Sequence, residues 1–116
     1  MNIDMPGYKA DLGKVRWDLI PMKCMQSLAE VLTFGAHKYA DNNWKKIENG
    51  MDRYYAALLR HLAEWRLGNK TDAETGLPHL SHAMCCLTFM LWFYFEEENK
   101  RIEEAIEMAR RVRESN

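Results

Sequence analysis

Apolar residues recur at helical spacing in four stretches of the chain. Leu28, Val31, Leu32 and Phe34 give residues 21–39 one buried side, and Pro21 opens that stretch where a missing N–H costs nothing. Tyr55, Leu58, Leu59, Leu62 and Trp65 form a second stripe over residues 52–67. Asp52 is the expected N-cap of that helix and Gly68-Asn69 its stop. A third helix is expected from Pro78 to about Glu98. It is apolar all round over residues 83–95, which predicts a central place or a subunit interface. Ile102, Ala105, Ile106, Ala109 and Val112 mark a last helix, with Asn99 as its cap and an end near Glu114. Its other face is Glu, Lys and Arg, a solvated surface with i,i+4 pairs. No stretch sustains strand alternation. The pattern predicts an all-α fold: a bundle of about four helices, with residues 1–116 as one domain.

Between these stripes several residues break the pattern. Residues 1–18 have no clean period, and Lys14 and Arg16 there are either solvated surface cations or contacts for an anion. Glu30 stands inside an apolar run, so it is either on the solvent side or held by a partner. Gly35 falls mid-helix at a cost of about 1 kcal/mol against Ala, and is expected to mark a close helix approach. Residues 39–44 read as a polar turn. With Lys38, Lys45 and Lys46 around it, this turn is either only a connection or a nucleotide contact, with Trp44 on a base and a lysine on phosphate.

Composition narrows the classes. The net charge of -1 offers no uniformly basic surface for nucleic acid. Three cysteines, two of them adjacent, make a poor disulfide framework and point to a reducing, cytoplasmic setting. No secretory leader is expected, since no charged-then-apolar stretch opens the sequence, and residues 83–95 are too short a run to cross a membrane. Eight Met and four Trp suit irregular or oligomeric packing.

The candidate chemistry lies in two helical pairs: His61 with Glu64, and His79 with His82. Residues three apart share a helix face, so two neighbouring antiparallel helices bring the four side chains to one cavity. Imidazole favours Zn, Mn, Fe, Co or Ni, whereas carboxylate favours Mg and Mn. Glu74 ends a Thr71-Asp72-Ala73-Glu74 capping-box pattern; Asp72 and Glu74 are either helix-start residues or extra oxygen ligands. Cys86, one turn beyond His82, reads as a small core residue. The zinc-protease motif, the phosphate loop with Lys-Ser/Thr and the Gly-x-Ser-x-Gly turn are all missing. A divalent centre in a helical bundle suits phosphoanhydride hydrolysis, with a carboxylate to orient or deprotonate water.

A longer set of residues carries a resemblance. Gly13-Lys14-x-Arg16-x-Asp18-Leu19-Ile20-Pro21, then Leu28-Ala29-Glu30-Val31-Leu32-x-Phe34-Gly35-Ala36-x-Lys38-Tyr39, then Asn42-Asn43-Trp44, resemble the phage dATP/dGTP diphosphohydrolase family. Arg53-Tyr54, residues 57–62, Trp65 and Gly76-Leu77-Pro78-His79-Leu80-x-His82-Ala83 continue the likeness. It implies a MazG-like all-α enzyme that splits a (deoxy)nucleoside triphosphate, dGTP or dATP, into monophosphate and pyrophosphate; separately, the all-round apolar third helix has more face than one bundle of this length easily covers and predicts a homo-oligomer. The broader MazG pattern is Glu-x-x-Glu followed by Glu-x-x-Asp; His61-x-x-Glu64 and His79-x-x-His82 would replace it here, which favours ions softer than magnesium.

The expected metal shell is thus His61, Glu64, His79 and His82 around Mn, Co, Mg or Zn. Glu30 or Glu64 is the expected catalytic carboxylate. Lys38, Lys45, Arg53 and Arg60 are the candidates for phosphate, and Asn42, Asn43 and Trp44 for base and sugar. Two alternatives remain: a nucleotide-binding module without turnover, and a His-Asp-type phosphohydrolase, disfavoured because no His-Asp dipeptide occurs.

Overall fold

A computed structural model describes residues 6–115. The irregular reading of residues 1–18 is therefore tested only from Pro6 onward, since the first five positions lie outside the described residues. From Pro6 the chain is irregular up to a short 3-10 turn at Trp17–Leu19, where Arg16 pairs with Asp18 at 2.7 Å in an exposed local bridge.

Among the described residues three α-helices follow: α1 (Met22–Lys38), α2 (Gly50–Arg66) and α3 (His79–Ser115), with a second 3-10 turn at Asn43–Lys46. Among the described residues there is no strand, only an isolated antiparallel bridge between Thr71 and Pro78. The all-α expectation holds, but the count of four helices does not. The expected break at Asn99 is absent and α3 runs on to Ser115. Asn is only a few tenths of a kcal/mol poorer than common helix formers, and no Gly or Pro follows to turn the chain. Arg101 reaches back to Glu98 at 2.8 Å across the predicted break.

Two other local expectations change. Asp52 is not the cap of α2; the helix opens two residues earlier, after Asn49 in the left-handed conformation (φ 56°). Gly50 is buried there because a Cβ would overlap the Phe93 ring. The close approach expected at Gly35 is found at Gly50 instead, since a Cβ at Gly35 would meet nothing within 4 Å.

The pairing of α2 with α3 dominates the packing, and α1 adds to α3 more lightly. Gly50 lies on Phe93, Tyr54 on Phe89 and His61 on His82, so the two helices run antiparallel. Aromatic rings fill the end of this pair near Gly50. Trp44 stacks on Phe89 at 4.1 Å and meets Trp92 edge-on at 5.1 Å. The opposite end holds the histidines. Between them Cys85 and Cys86 are buried, and burial pushes their thiols up to about 12 and about 11. Both are therefore neutral core groups, as expected of Cys86.

The molecule is long. Its radius of gyration is 21.2 Å, against about 13 Å for a compact domain of this size. A helix as long as α3 extends over roughly 55 Å, far past its two shorter partners. Among the described residues no large side chain is fully buried. Among the described residues no helix is long and apolar enough to cross a membrane.

Candidate nucleotide and metal site

His61 projects from α2, while His79 is the first residue of α3 and His82 follows one turn on. His61 Nδ1 and His79 Nδ1 stand 2.9 Å apart. The His82 ring stacks on His61 with centroids 4.7 Å apart and planes within 10°. His79 is buried and the other two are half-buried. Three of the four predicted ligands thus meet.

Glu64 does not join them: it is exposed, and its carboxylate accepts a 2.6 Å bond from the Asn69 side-chain amide. The carboxylate that arrives is Asp72. A carboxylate oxygen of Asp72 and one nitrogen each from His61 and His79 all lie within 4.8 Å of one another.

Asp72 is held by its own loop, residues 67–78. Its backbone N–H donates to Leu77 O at 2.8 Å and its carbonyl accepts from Gly76 N at 2.8 Å. Its Oδ2 accepts from Glu74 N at 3.1 Å, Thr75 N at 3.0 Å and the Thr75 hydroxyl at 3.2 Å. This is an Asx turn rather than a capping box, and α3 starts only at His79. The Thr75 hydroxyl also accepts from Leu77 N at 3.1 Å and lies 2.7 Å from His82 Nε2. With its proton given to Asp72, Thr75 accepts from His82, which assigns the Nε2–H tautomer to that ring.

The electrostatics follow. Burial holds His61 below its ordinary pKa, and the neighbouring His82 and His79 lower it further. Burial lowers His82 as well, partly opposed by Asp72. For Asp72, burial acts to raise the pKa, but the Thr75 and Glu74 hydrogen bonds and the adjacent His82 outweigh it and keep the group below its ordinary value. Two neutral-leaning imidazoles face an ionised carboxylate, the protonation pattern a cation requires.

A cleft of about 880 Å³ opens beside this cluster, lined by α1, the 3-10 turn at Asn43, α2 and the Asp72 loop. Arg53, Arg60 and Lys38 line it, as do Asn42, Asn43 and Trp44. Asn42 is in the left-handed conformation (φ 59°), a position Asn tolerates. Trp44 already has one face covered by Phe89. Lys38 is bridged to Glu74, whose hydrogen bond raises the lysine pKa. Lys45 stands apart from the lining, over the rings of Trp44 and Trp92 at 5.5 and 5.3 Å. Glu30 also stands apart, exposed on α1 and hydrogen-bonded to Gln26 at 3.0 Å. Thr75 has no helical periodicity to mark it; its sequence signal is local, since Asp followed three residues later by Thr, just before Gly76, is an Asx-turn spelling.

Residues 4–103 match the family described as dATP/dGTP diphosphohydrolase, N-terminal. A relative from Salmonella phage PMBT28, named dATP/dGTP diphosphohydrolase, is 38% identical over 88 residues. That alignment covers 76% of this chain but only 30% of the relative's length. No solved structure matches the chain. The match, with the cluster and cleft lying inside it, establishes that the chain belongs to the N-terminal dATP/dGTP diphosphohydrolase family.

Proposed function

We propose that this chain, acting as one domain, hydrolyses a purine deoxynucleoside triphosphate to the monophosphate and pyrophosphate with the help of a divalent cation. The observation that carries the reading is the position of the histidine–aspartate cluster on a cleft that also bears Arg53, Arg60 and Lys38. The cleft is of the size that encloses a small ligand. The relative's name supplies the reaction class.

A divalent cation would offset phosphate charge and lower the pKa of water at this place. The protein's own side chains do the rest. The Arg53 and Arg60 guanidinium groups would grip phosphate oxygens in a bidentate manner. Asn42 and Asn43 offer amide donors and acceptors to base and sugar, against an aromatic wall that includes Trp44. Lys38 is drawn toward Glu74 and would turn to an entering polyphosphate, releasing that carboxylate.

The working form would be a homo-oligomer. Leu87, Leu91, Phe95, Ile102 and Ile106 remain exposed along α3, more apolar surface than a stable monomer usually leaves open. Glu30 or Glu64 would act on the attacking water only where a second copy brings one of them to the cleft. Sedimentation at micromolar concentration is expected to show a dimer or larger species.

A second reading has one observation in its favour. Neither Glu30 nor Glu64 reaches the cleft within one chain. This suits a nucleotide-binding module that binds without turnover. Incubation with dGTP, dATP and other triphosphates plus Mn²⁺, Co²⁺ or Mg²⁺ separates the readings. Monophosphate and pyrophosphate in equal amounts are expected, with purine deoxynucleotides preferred. Binding without any product supports the module, and inorganic phosphate or triphosphate as product points to the His-Asp type of chemistry.

A further inference from the structure

We propose that His61, His79 and Asp72 form a two-imidazole, one-carboxylate site for a transition-metal ion, with Asp72 in the place the helical pattern assigns to Glu64. The proposal deepens the hydrolase reading by naming the ligand set, but the binding it claims stands or falls without turnover.

Geometry is the first support. Two nitrogens bound to the same cation at about 2.0–2.1 Å each stand roughly 3 Å apart when they are cis. The two Nδ1 atoms are 2.9 Å apart, one on α2 and the other at the head of α3. The Asp72 oxygen completes a trio within 4.8 Å. No other group of three His, Cys, Asp or Glu donors this tight occurs among the described residues.

The carboxylate is the second support. Three donors converge on Asp72 Oδ2, and among the described residues none is directed at Oδ1. An ionised carboxylate with one oxygen fixed and the other unengaged is pre-oriented for a ligand on its free side. The loop that carries it is pinned at both ends, by the Thr71–Pro78 bridge and by the His79 N–H donating to Lys70 O at 2.9 Å. Asp72 and His79 are therefore fixed relative to each other by backbone. Glu64 has the opposite character: a long exposed side chain satisfied by Asn69.

The remaining two residues support the ligands rather than join them. His82 stacks on His61 and is held through Nε2 by Thr75, which also binds Asp72. Thr75 and His82 are thus positioning residues, linking the carboxylate to the ring plane of His61. Two imidazoles and one carboxylate favour Mn, Fe, Co or Zn over Mg, which demands an oxygen-rich octahedron and gives up water reluctantly.

The competing account needs no cation. One Nδ1–H of the histidine pair donates to the other Nδ1, and Asp72 serves only its loop. The metal-stripped chain of residues 1–116 titrated with Co²⁺ distinguishes them, read by the visible d–d absorption of the bound ion and by elemental analysis. One Co²⁺ per chain is expected, displaceable by Zn²⁺ and not by Mg²⁺. Asp72→Asn and His61→Ala are each expected to weaken Co²⁺ binding by at least about tenfold, while Glu64→Gln leaves it unchanged. Because His61 lies on α2, its variant leaves the Asp72 loop bonds in place; far-ultraviolet circular dichroism confirms folding for both. Wild-type binding that survives in Asp72→Asn, or that is lost in Glu64→Gln, overturns the ligand assignment. Absence of any bound Co²⁺ or Zn²⁺ overturns the site itself and leaves the histidines as a hydrogen-bonded pair. Tight Co²⁺ binding without nucleotide turnover would uphold the site and defeat the hydrolase reading; turnover in a protein that binds no such ion would do the reverse.

Discussion

The two halves of α3 are one continuous helix built on different principles. All its buried residues fall between His79 and Cys86. That half is clasped by α2 and α1 and carries two of the clustered histidines. The half beyond Glu98 projects past both partners. Ile102, Ile106, Met108 and Val112 are each at least half exposed there, and the polar side is laced with ion pairs such as Arg110 with Glu107 and Glu114. Packing and burial are concentrated where the donor atoms are held. The projecting half contributes surface.

The largest test of that contrast is at Gly50, on the clasped side. A Cβ there overlaps the Phe93 ring, and Phe93 is itself wedged against Trp92. Gly50→Val is expected to cost about 3 kcal/mol, the upper end for overpacking, seen as a lower midpoint in urea. Trp44→Ala should follow at roughly 2 kcal/mol, about half the usual loss for a fully buried ring, since Trp44 is half-buried against Phe89. Equal midpoints for wild type and both variants would mean the aromatic end does not hold α2 to α3.

The cleft side is tested by Arg60. It lines the cleft and has no carboxylate partner among the described residues. Losing one charge-assisted phosphate contact costs about 1.5 kcal/mol or more, so Arg60→Ala is expected to bind a triphosphate about tenfold more weakly by calorimetry. An unchanged affinity would remove Arg60 from the phosphate contacts. The projecting half should respond differently. Ile106→Lys is expected to alter the midpoint of a monomer by less than about 0.5 kcal/mol, yet to shift the sedimenting species to a smaller size.

The same contrast marks how far the sequence could be read. The apolar spacing, with Pro21 and Gly68 nearby, fixes the ends of α1 and α2 to within two residues, but not the inward face of α2: Tyr55, Leu59, Leu62 and Trp65 of the expected stripe are exposed, and Tyr54 and His61 face α3 instead. The seam at Asn99 misleads because one weak helix former cannot end a helix that nothing else interrupts. At the site, helical spacing places His61, His79 and His82 on facing sides of α2 and α3, and there the three rings stand side by side. It overstates Glu64, because sharing a face fixes where a Cβ points and not where a long carboxylate finds its donor; Asn69 captures it. Asp72 reaches the cluster through a loop whose course depends on hydrogen bonds between residues 70 and 79, for which no periodicity exists.

The smallest expected effect lies at the far tip of α3 and is as informative as the largest. Arg110 makes contacts to Glu107 and Glu114, and Arg111 adds a second contact to Glu107. By number of bonds it is the most connected side chain of this half. All of these groups are open to solvent, where water and salt compete with each contact and two long side chains lose entropy to meet. Arg110→Ala is therefore expected to leave the thermal midpoint unchanged within error, at low and at moderate salt. A clear fall would show that the ion pairs are shielded, which requires a covering surface along this half of α3. Read beside Ile106→Lys, such a fall would locate the second copy on the polar as well as the apolar side of the helix.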